Sequence, residues 1–212
     1  MRRDYGVYLV TDQGLCLGRG LLEVVAEAVR GGASMVQLRE KKCDTRDFVA
    51  LARRLKALLG PLGVPLLIND RVDVALAAGA DGVHVGQSDM HPADVRGLIG
   101  PEAIVGLSVE CMEHVLQADA LGVDYLGVGP VYATATKPDH SEPWGLEGLR
   151  RVRAASRLPM VAIGSVNAEN AAQVMETGMD GLAVVSAICS APSPEQAAGA
   201  LRDIVNNALR AR

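Results

Sequence analysis

The chain has few aromatic side chains and no clustered stripe of basic ones. Its 212 residues include only four Tyr, one Trp and one Phe, and the formal net charge is −4. Proteins that bind nucleic acid present a basic surface, and those that bind single strands add aromatic rings on which bases stack. We therefore expect no nucleic-acid partner.

Long hydrophobic runs are also absent. No apolar segment approaches the roughly 20 residues that cross a bilayer, and the segment from Met1 to Tyr5 lacks the apolar stretch of a signal peptide. These absences predict a cytoplasmic protein without a membrane partner. No stretch rich in Pro, Gly or Ser divides the chain, so we expect residues 1–212 to form a single domain with a substantial core. A homo-oligomer is compatible with everything in the sequence.

The cysteines and histidines show no spacing that indicates a metal centre. The four Cys are far apart, which argues against zinc, and the four His are equally dispersed. His84 lies within an apolar run, where we expect a hydrogen-bonded core histidine. The chemistry must come from other residues.

Short apolar runs alternate with segments of helical periodicity along the whole chain. Their continuous apolar character is typical of parallel strands that are covered on both faces. The predicted strands begin near Val7, Met35, Leu66, Gly82, Ile104, Tyr125, Met160 and Gly181. Eight such units predict a compact α/β fold, a (β/α)₈ TIM barrel. An open doubly wound sheet is the alternative, but no Gly-x-Gly-x-x-Gly turn follows the first strand.

A weak internal repeat supports this count. A glycine followed by a small or apolar residue and then Ser or Asp recurs at Gly32 to Ser34, Gly79 to Asp81, Gly122 to Asp124 and Gly178 to Asp180. Each copy places Gly where a helix ends and a strand begins. The repeat recurs in every second predicted unit, as expected of a chain built from paired βα units.

The second predicted strand runs into the sequence Gln37, Leu38, Arg39, Glu40, Lys41. Alternate side chains of a strand share a face, so Gln37, Arg39 and Lys41 are expected to project together. One neutral donor and two cations favour a multiply charged anion, since Arg offers a planar fork and Lys a mobile charge. A solvated turn is the simpler reading of this segment alone.

Other strands also end in polar residues, and in a barrel all these ends meet at one mouth. Asp70 and Asp89 follow neighbouring strands, so both carboxylates could face one Mg²⁺ that also binds substrate phosphate oxygens. Each Asp could instead cap the helix that follows it. The residues alone leave both readings open.

Two further segments fit a binding mouth. Residues 129–145 form a long connection, typical of binding loops, in which we expect Trp144 to pack the loop down. Gly164 and Ser165, and Val185 and Ser186, follow the last two strands, where barrels often hold a phosphate through backbone N–H groups. Two anion sites are expected, one for a diphosphate and one for a monophosphate.

These motifs together resemble the thiamine phosphate synthase family over nearly the whole chain. The resemblance rests on Tyr8 to Thr11, Gln37 to Lys41, Asn69 and Asp70, Gly86, Gln87 and Asp89, Ser108, Gly129 to Lys137, Gly164, and Val185 to Ile188. It implies a transferase of thiamine biosynthesis that joins a hydroxymethylpyrimidine diphosphate to a thiazole ethyl phosphate, or to its carboxylated form, and releases pyrophosphate.

The resemblance also assigns roles to matching positions. It implies that Gln37, Leu38, Arg39, Glu40, Lys41, Asn69, Ser108 and Lys137 bind the pyrimidine diphosphate, with Arg39, Lys41, Ser108 and Lys137 catalytic; that Asp70 and Asp89 bind Mg²⁺; and that Thr134, Ala135, Thr136, Gly164, Val185 and Ser186 hold the thiazole phosphate. Ser165 and Ala133 depart from the family pattern, which commonly has Gly and Pro there. We expect Ser165 to be denied the positive φ that Gly reaches.

Two alternatives remain on the sequence alone. One is a related barrel that isomerises a thiazole phosphate, and the other is a non-catalytic barrel that senses a phosphorylated metabolite. Neither requires Arg39, Lys41, Asp70 and Asp89 together, so a diphosphate site favours the synthase.

Overall fold

The structure is a computed structural model that describes residues 3–133 and 142–212. Within this part of the chain, eight parallel strands pair in sequence order and close on themselves, because β1 pairs with both β2 and β8. The strands are β1 Val7–Val10, β2 Met35–Leu38, β3 Leu66–Asn69, β4 Gly82–Val85, β5 Ile104–Val109, β6 Tyr125–Val128, β7 Met160–Ile163 and β8 Gly181–Val184. The predicted (β/α)₈ barrel is confirmed, as is every predicted strand start.

Helices cover the outside of the barrel. They are α1 Leu21–Arg30, α2 Thr45–Leu59, α3 Val72–Ala78, α4 Pro92–Ile99, α5 Met112–Ala118, α6 Gly145–Ala155, α7 Ala171–Met175, α8 Ser186–Cys189 and α9 Pro194–Arg210, with 3₁₀ turns at Gln13–Leu15 and Gly60–Leu62. Two helices, α8 and α9, follow β8, and α8 is the short extra helix found in many barrels. No helix in the described ranges is long and apolar enough to span a membrane.

The alternation of side chains along each strand separates two hydrophobic clusters. Val36 and Leu38 point outward into the large cluster between strands and helices. Met35, on the opposite face of the same strand, joins Tyr8 and Tyr125 in a smaller cluster inside the barrel. The barrel is therefore a packed core, and only its ends are available for chemistry.

The internal repeat has a structural explanation at the N-terminal face of the barrel. The main-chain N–H of Asp124 donates to the carbonyl of Val105 at 2.7 Å, and Oδ2 of Asp124 accepts from the N–H of the same residue at 2.8 Å. Arg96 of α4 then donates to Oδ2 of Asp124 at 2.7 Å. One aspartate thus joins two strands and a helix.

The other copies of the repeat make equivalent contacts. Asp81 bridges to Leu66 and Asp180 to Met160, each through its own N–H and its carboxylate, while Ser34 makes the same pair of contacts to Val7 with its hydroxyl. These four bridges tie each odd-numbered strand to the next even-numbered one. They stabilise the N-terminal face of the barrel, which lies opposite the polar C-terminal ends of the strands.

Candidate functional site

A cavity of about 720 Å³ opens at the C-terminal ends of the strands. Most of the predicted site residues that the structure describes line it: Gln37, Arg39, Lys41, Asn69, Asp70, Asp89, Ser108, Gly164, Val185 and Ser186. Apolar side chains of the barrel interior, including Val161 and Ala183, form its floor. A volume of this size is typical of small-molecule sites.

The cations after β2 face this cavity. The N–H of Arg39 donates to Oγ1 of Thr11 at 3.1 Å, which fixes the main chain just beyond the strand. Nη1 of Arg39 lies 3.8 Å from Oδ2 of Asp12. Lys41 is more exposed, and its Nζ lies 2.7 Å from Oδ2 of Asp70. Both cations are therefore directed by carboxylates that follow other strands.

The two intervening residues, Leu38 and Glu40, do not present their side chains to the cavity. Leu38 is fully buried in the outer cluster, because it points away from the barrel axis. Glu40 does not line the cavity, and its Oε1 is buried without a hydrogen-bond partner among the described residues. Burial, with Asp12 nearby, raises the pKa of the Glu40 carboxyl. Only the alternate positions of this segment reach the mouth.

Asp70 and Asp89 converge on one side of the mouth, and neither caps a helix. The helix after Asp70 has Arg71 as its N-cap residue, and the helix after Asp89 is capped by the ring of His91. Oδ2 of Asp89 instead accepts the N–H of Gly86 at 2.7 Å. The capping interpretation of both aspartates is therefore wrong.

The electrostatics of this pair suit a cation. Burial raises the pKa of the Asp89 carboxyl, and the nearby carboxylate of Asp70 raises it further. Asp70 has a positive φ of 61° and donates its N–H to the carbonyl of His84 at 2.9 Å. Such backbone is uncommon for a residue other than Gly and is often found at functional sites. Two carboxylates this close together could serve as ligands of a divalent cation that substrate phosphate oxygens also bind.

The opposite side of the mouth is made of main chain. Gly164 has a φ of 111°, and a Cβ there would lie 2.7 Å from Cα of Pro130, so only Gly fits. Val185 and Ser186 begin α8 beside it. Ser165 has a φ of 53°, which corrects our expectation that a Ser would be denied this conformation. Its Oγ donates to the carbonyl of Ala133 at 2.7 Å, and its carbonyl accepts from Asn170 at 2.9 Å. These contacts hold the residue in the strained conformation.

Four of the predicted residues, Thr134, Ala135, Thr136 and Lys137, lie outside the described residues. Trp144 follows this segment and packs against the hydrophobic core. Its ring is close to Gly148, where a Cβ would lie 3.1 Å from Cε3 of the indole.

The sequence did not reveal the connection between the mouth and the barrel interior. Tyr8 and Tyr125 are buried inside the barrel, and their hydroxyls lie 2.9 Å apart. His84, predicted only as a hydrogen-bonded core residue, is indeed buried and bonded, but it also lines the cavity and reaches Ser108. The available signal was the glycine pattern, because Gly106 leaves the space that the Tyr125 ring fills.

Comparisons with known proteins identify the family of this chain. The thiamine monophosphate synthase family model matches residues 7–188. The chain is 61% identical over 201 residues to a thiamine-phosphate synthase of Solidesulfovibrio magneticus, covering 95% of each chain. It is 56% identical over 200 residues to that of Albidiferax ferrireducens, covering 94% of this chain and 91% of the other. The solved thiamine phosphate pyrophosphorylase from Pyrococcus furiosus superposes with a TM-score of 0.89 at 39% identity over 98% of each chain.

Proposed function

This chain belongs to the thiamine monophosphate synthase family, and from that premise we propose that it joins a hydroxymethylpyrimidine diphosphate to a thiazole ethyl phosphate. The products are thiamine phosphate and pyrophosphate. The observation that carries the proposal is the meeting of Arg39 and Lys41 with Asp70 and Asp89 at one cavity that also contains the main chain of Gly164 and Ser186. One side suits a diphosphate with its counter-ion, and the other suits a monophosphate.

The reaction exchanges one bond for another. The bond between the pyrimidine methylene carbon and the diphosphate oxygen breaks, and its electron pair leaves with the diphosphate. The lone pair of the thiazole nitrogen then forms the new carbon–nitrogen bond. Arg39 and Lys41 stabilise the negative charge that develops on the leaving group, because fixed cations in a partly buried site need no reorganisation. No protein nucleophile is required.

Asp70 and Asp89 fit a Mg²⁺ ion. Their carboxylates lie together at the mouth without capping a helix, and carboxylate oxygens are the ligands that Mg²⁺ prefers. When bound, Mg²⁺ supplies charge neutralisation to the departing diphosphate. Lys41 donates to Asp70 and so keeps that carboxylate oriented towards the mouth.

The barrel interior protects the reactive carbon from water. Val161, Ile163 and Ala183 line the cavity below the polar rim. An apolar floor disfavours a water molecule beside the pyrimidine methylene cation. The thiazole nitrogen must already be in place when that cation forms, which is why one cavity with two anion sites is suited to the reaction.

The direct test is turnover by the purified protein. With Mg²⁺ and both substrates, we expect one pyrophosphate per thiamine phosphate, and omission of the thiazole phosphate should abolish the product. Isomerisation of a thiazole phosphate without pyrophosphate release in the complete mixture would instead identify an isomerase. Tight binding of one phosphate ligand with neither reaction would identify a sensor.

A further inference from the structure

Five side chains from five strands form one continuous hydrogen-bonded chain across the barrel. Nε2 of Gln37 donates to the hydroxyl of Tyr8 at 2.6 Å, and the hydroxyls of Tyr8 and Tyr125 lie 2.9 Å apart. The hydroxyl of Tyr125 lies 2.7 Å from Nδ1 of His84, and Nε2 of His84 lies 2.9 Å from Oγ of Ser108. This hydrogen-bonded relay begins at Gln37 and ends at Ser108, and both residues line the mouth.

The donor at Gln37 determines the direction of every bond in this chain. Each tyrosine has one hydroxyl proton, so Tyr8, which accepts from Gln37, donates its hydrogen bond to the hydroxyl of Tyr125. Tyr125 in turn donates its hydrogen bond to Nδ1 of His84. An imidazole that accepts at Nδ1 has its proton at Nε2, and this N–H donates to Oγ of Ser108.

Burial makes the direction of these hydrogen bonds costly to reverse. Tyr8 and Tyr125 are 1% and 0% exposed, so water is poorly placed to replace a missing partner. Burial also raises the pKa of both phenols, which keeps both protons in place. Reversing one bond requires reversing all of them, because each interior hydroxyl would otherwise face a second donor or a second acceptor.

We propose that His84 is a positioning residue. The hydrogen-bonded relay from Gln37 through Tyr8 and Tyr125 holds its imidazole in the Nε2–H tautomer, and this tautomer directs the Ser108 hydroxyl to donate a hydrogen bond into the cavity. Because Ser108 already accepts from His84, its own proton is available to a bound molecule. The substrate atom that meets Ser108 is therefore a hydrogen-bond acceptor, such as a ring nitrogen of the pyrimidine. This last step rests on the proposed function, whereas the tautomer does not.

The tautomer can be measured without substrate. The ¹⁵N shifts of the His84 imidazole separate a protonated Nε2 from a protonated Nδ1, and the wild-type protein should show the Nε2–H form. Gln37→Glu places an acceptor next to Tyr8 and should reverse the direction of every hydrogen bond in the relay, so that the imidazole proton of His84 lies on Nδ1. An Nδ1–H form in the wild type would overturn the proposal even if the protein is a synthase. So would identical shifts in wild type and Gln37→Glu at a pH where the ¹³C shift of the new carboxyl shows it ionised.

Activity tests the consequence for Ser108. Tyr125→Phe removes the donor to Nδ1 and should lower kcat/KM for the pyrimidine diphosphate roughly tenfold, about the worth of one hydrogen bond. Tyr5→Phe is the matched control, because its ring lies 5.2 Å from that of Tyr125 but its hydroxyl donates to the carbonyl of Asp124 outside the relay. It should leave both kcat/KM and the imidazole shifts unchanged.

A second pair of variants separates positioning from packing. His84→Gln keeps an N–H near the Nε2 position and should retain most of the activity, whereas His84→Leu fills the space without a donor and should lose it. Equal activity of the two variants, with both folded by their melting temperatures, would show that His84 contributes only packing.

Discussion

Nζ of Lys41 lies 2.7 Å from Oδ2 of Asp70, so a cation that follows β2 is held by the first carboxylate after β3. The lysine is about half exposed, with a side-chain exposure of 54%, whereas that of Asp70 is 23%. An exposed ion pair of this kind contributes little to stability. Its position at the mouth is better explained by the anion that both residues help to bind.

Replacing Lys41 with Ala should therefore impair catalysis far more than folding. We expect kcat to fall at least tens-fold, since a cation at a developing charge is worth about 2 to 4 kcal/mol. Arg39→Ala should behave similarly. Lys42→Ala is the matched control, because Lys42 is an exposed neighbour that does not line the cavity. Steady-state kinetics with wild-type kcat in both Lys41→Ala and Arg39→Ala would contradict the assignment.

Asp70→Asn and Asp89→Asn should each abolish Mg²⁺-dependent turnover and leave the melting temperature nearly unchanged. Neither carboxylate caps a helix, so its loss removes no helix-capping bond. Asp73→Asn is a suitable control, because Asp73 is an exposed residue in the first turn of α3 that pairs with Arg71. A Mg²⁺ titration of activity distinguishes the variants. Retained Mg²⁺ dependence in both would mean that the metal binds elsewhere.

Gly106→Ala should destabilise the barrel by about 1 to 3 kcal/mol, the usual cost of overpacking. The added Cβ would lie 2.2 Å from Cζ of Tyr125, so the ring must move. In contrast, Gly97→Ala in α4 meets nothing within 4 Å and should stabilise the helix by about 0.5 to 1 kcal/mol. Urea unfolding measures the change in the free energy of unfolding of each variant, which we expect to be a loss for Gly106→Ala and a gain for Gly97→Ala. A neutral Gly106→Ala would show that the interior is looser than the contacts indicate.

The ion pair of Asp4 and Arg202 predicts a pH dependence of stability. Nη1 of Arg202 donates to Oδ1 of Asp4 at 3.0 Å, and this guanidinium holds the pKa of Asp4 below its usual range. The contribution is fully present above the unfolded-state pKa and is lost as the pH falls through the lowered folded-state pKa. Because the Asp4 side chain is about half exposed and solvent screens the pair, Asp4→Asn should lower the melting temperature by only about 1 to 2 °C at neutral pH, equivalent to roughly 0.5 kcal/mol.

That difference should shrink in acid, because the wild-type carboxyl is then protonated as well. Asp203→Asn, at an exposed position of α9, should show no such pH-dependent gap. Thermal melts of the three proteins across the acid range provide the comparison. A gap that is constant with pH would mean that the carboxylate charge plays no part.

The fold was predictable because it depends on local pattern. Each strand of the barrel begins with a short apolar run, and the repeated Gly and Asp mark the same turn in alternate units, so the order of elements can be read along the chain. The site was predictable to the extent that a barrel gathers strand ends. Alternation within a strand also explains why Arg39 reaches the mouth while Leu38 is buried.

The interior relay depends on contacts between distant residues. The hydroxyls of Tyr8 and Tyr125 meet although the residues are 117 positions apart, and His84 reaches Ser108 from the neighbouring strand. No spacing rule links such residues before the register of the strands is known. The conformation of Ser165 was misjudged for a related reason, since the contacts with Ala133 and Asn170 that hold its positive φ come from other segments.

The central claim is that diphosphate binds between the cations after β2 and the paired carboxylates of Asp70 and Asp89. A crystal of the protein soaked with pyrophosphate and Mg²⁺ tests it most directly. We predict pyrophosphate oxygens within hydrogen-bonding distance of Arg39 and Lys41, and one Mg²⁺ shared by pyrophosphate and the two aspartates. Pyrophosphate bound instead at the main chain of Gly164 and Ser186, with no metal at Asp70 and Asp89, would contradict the account.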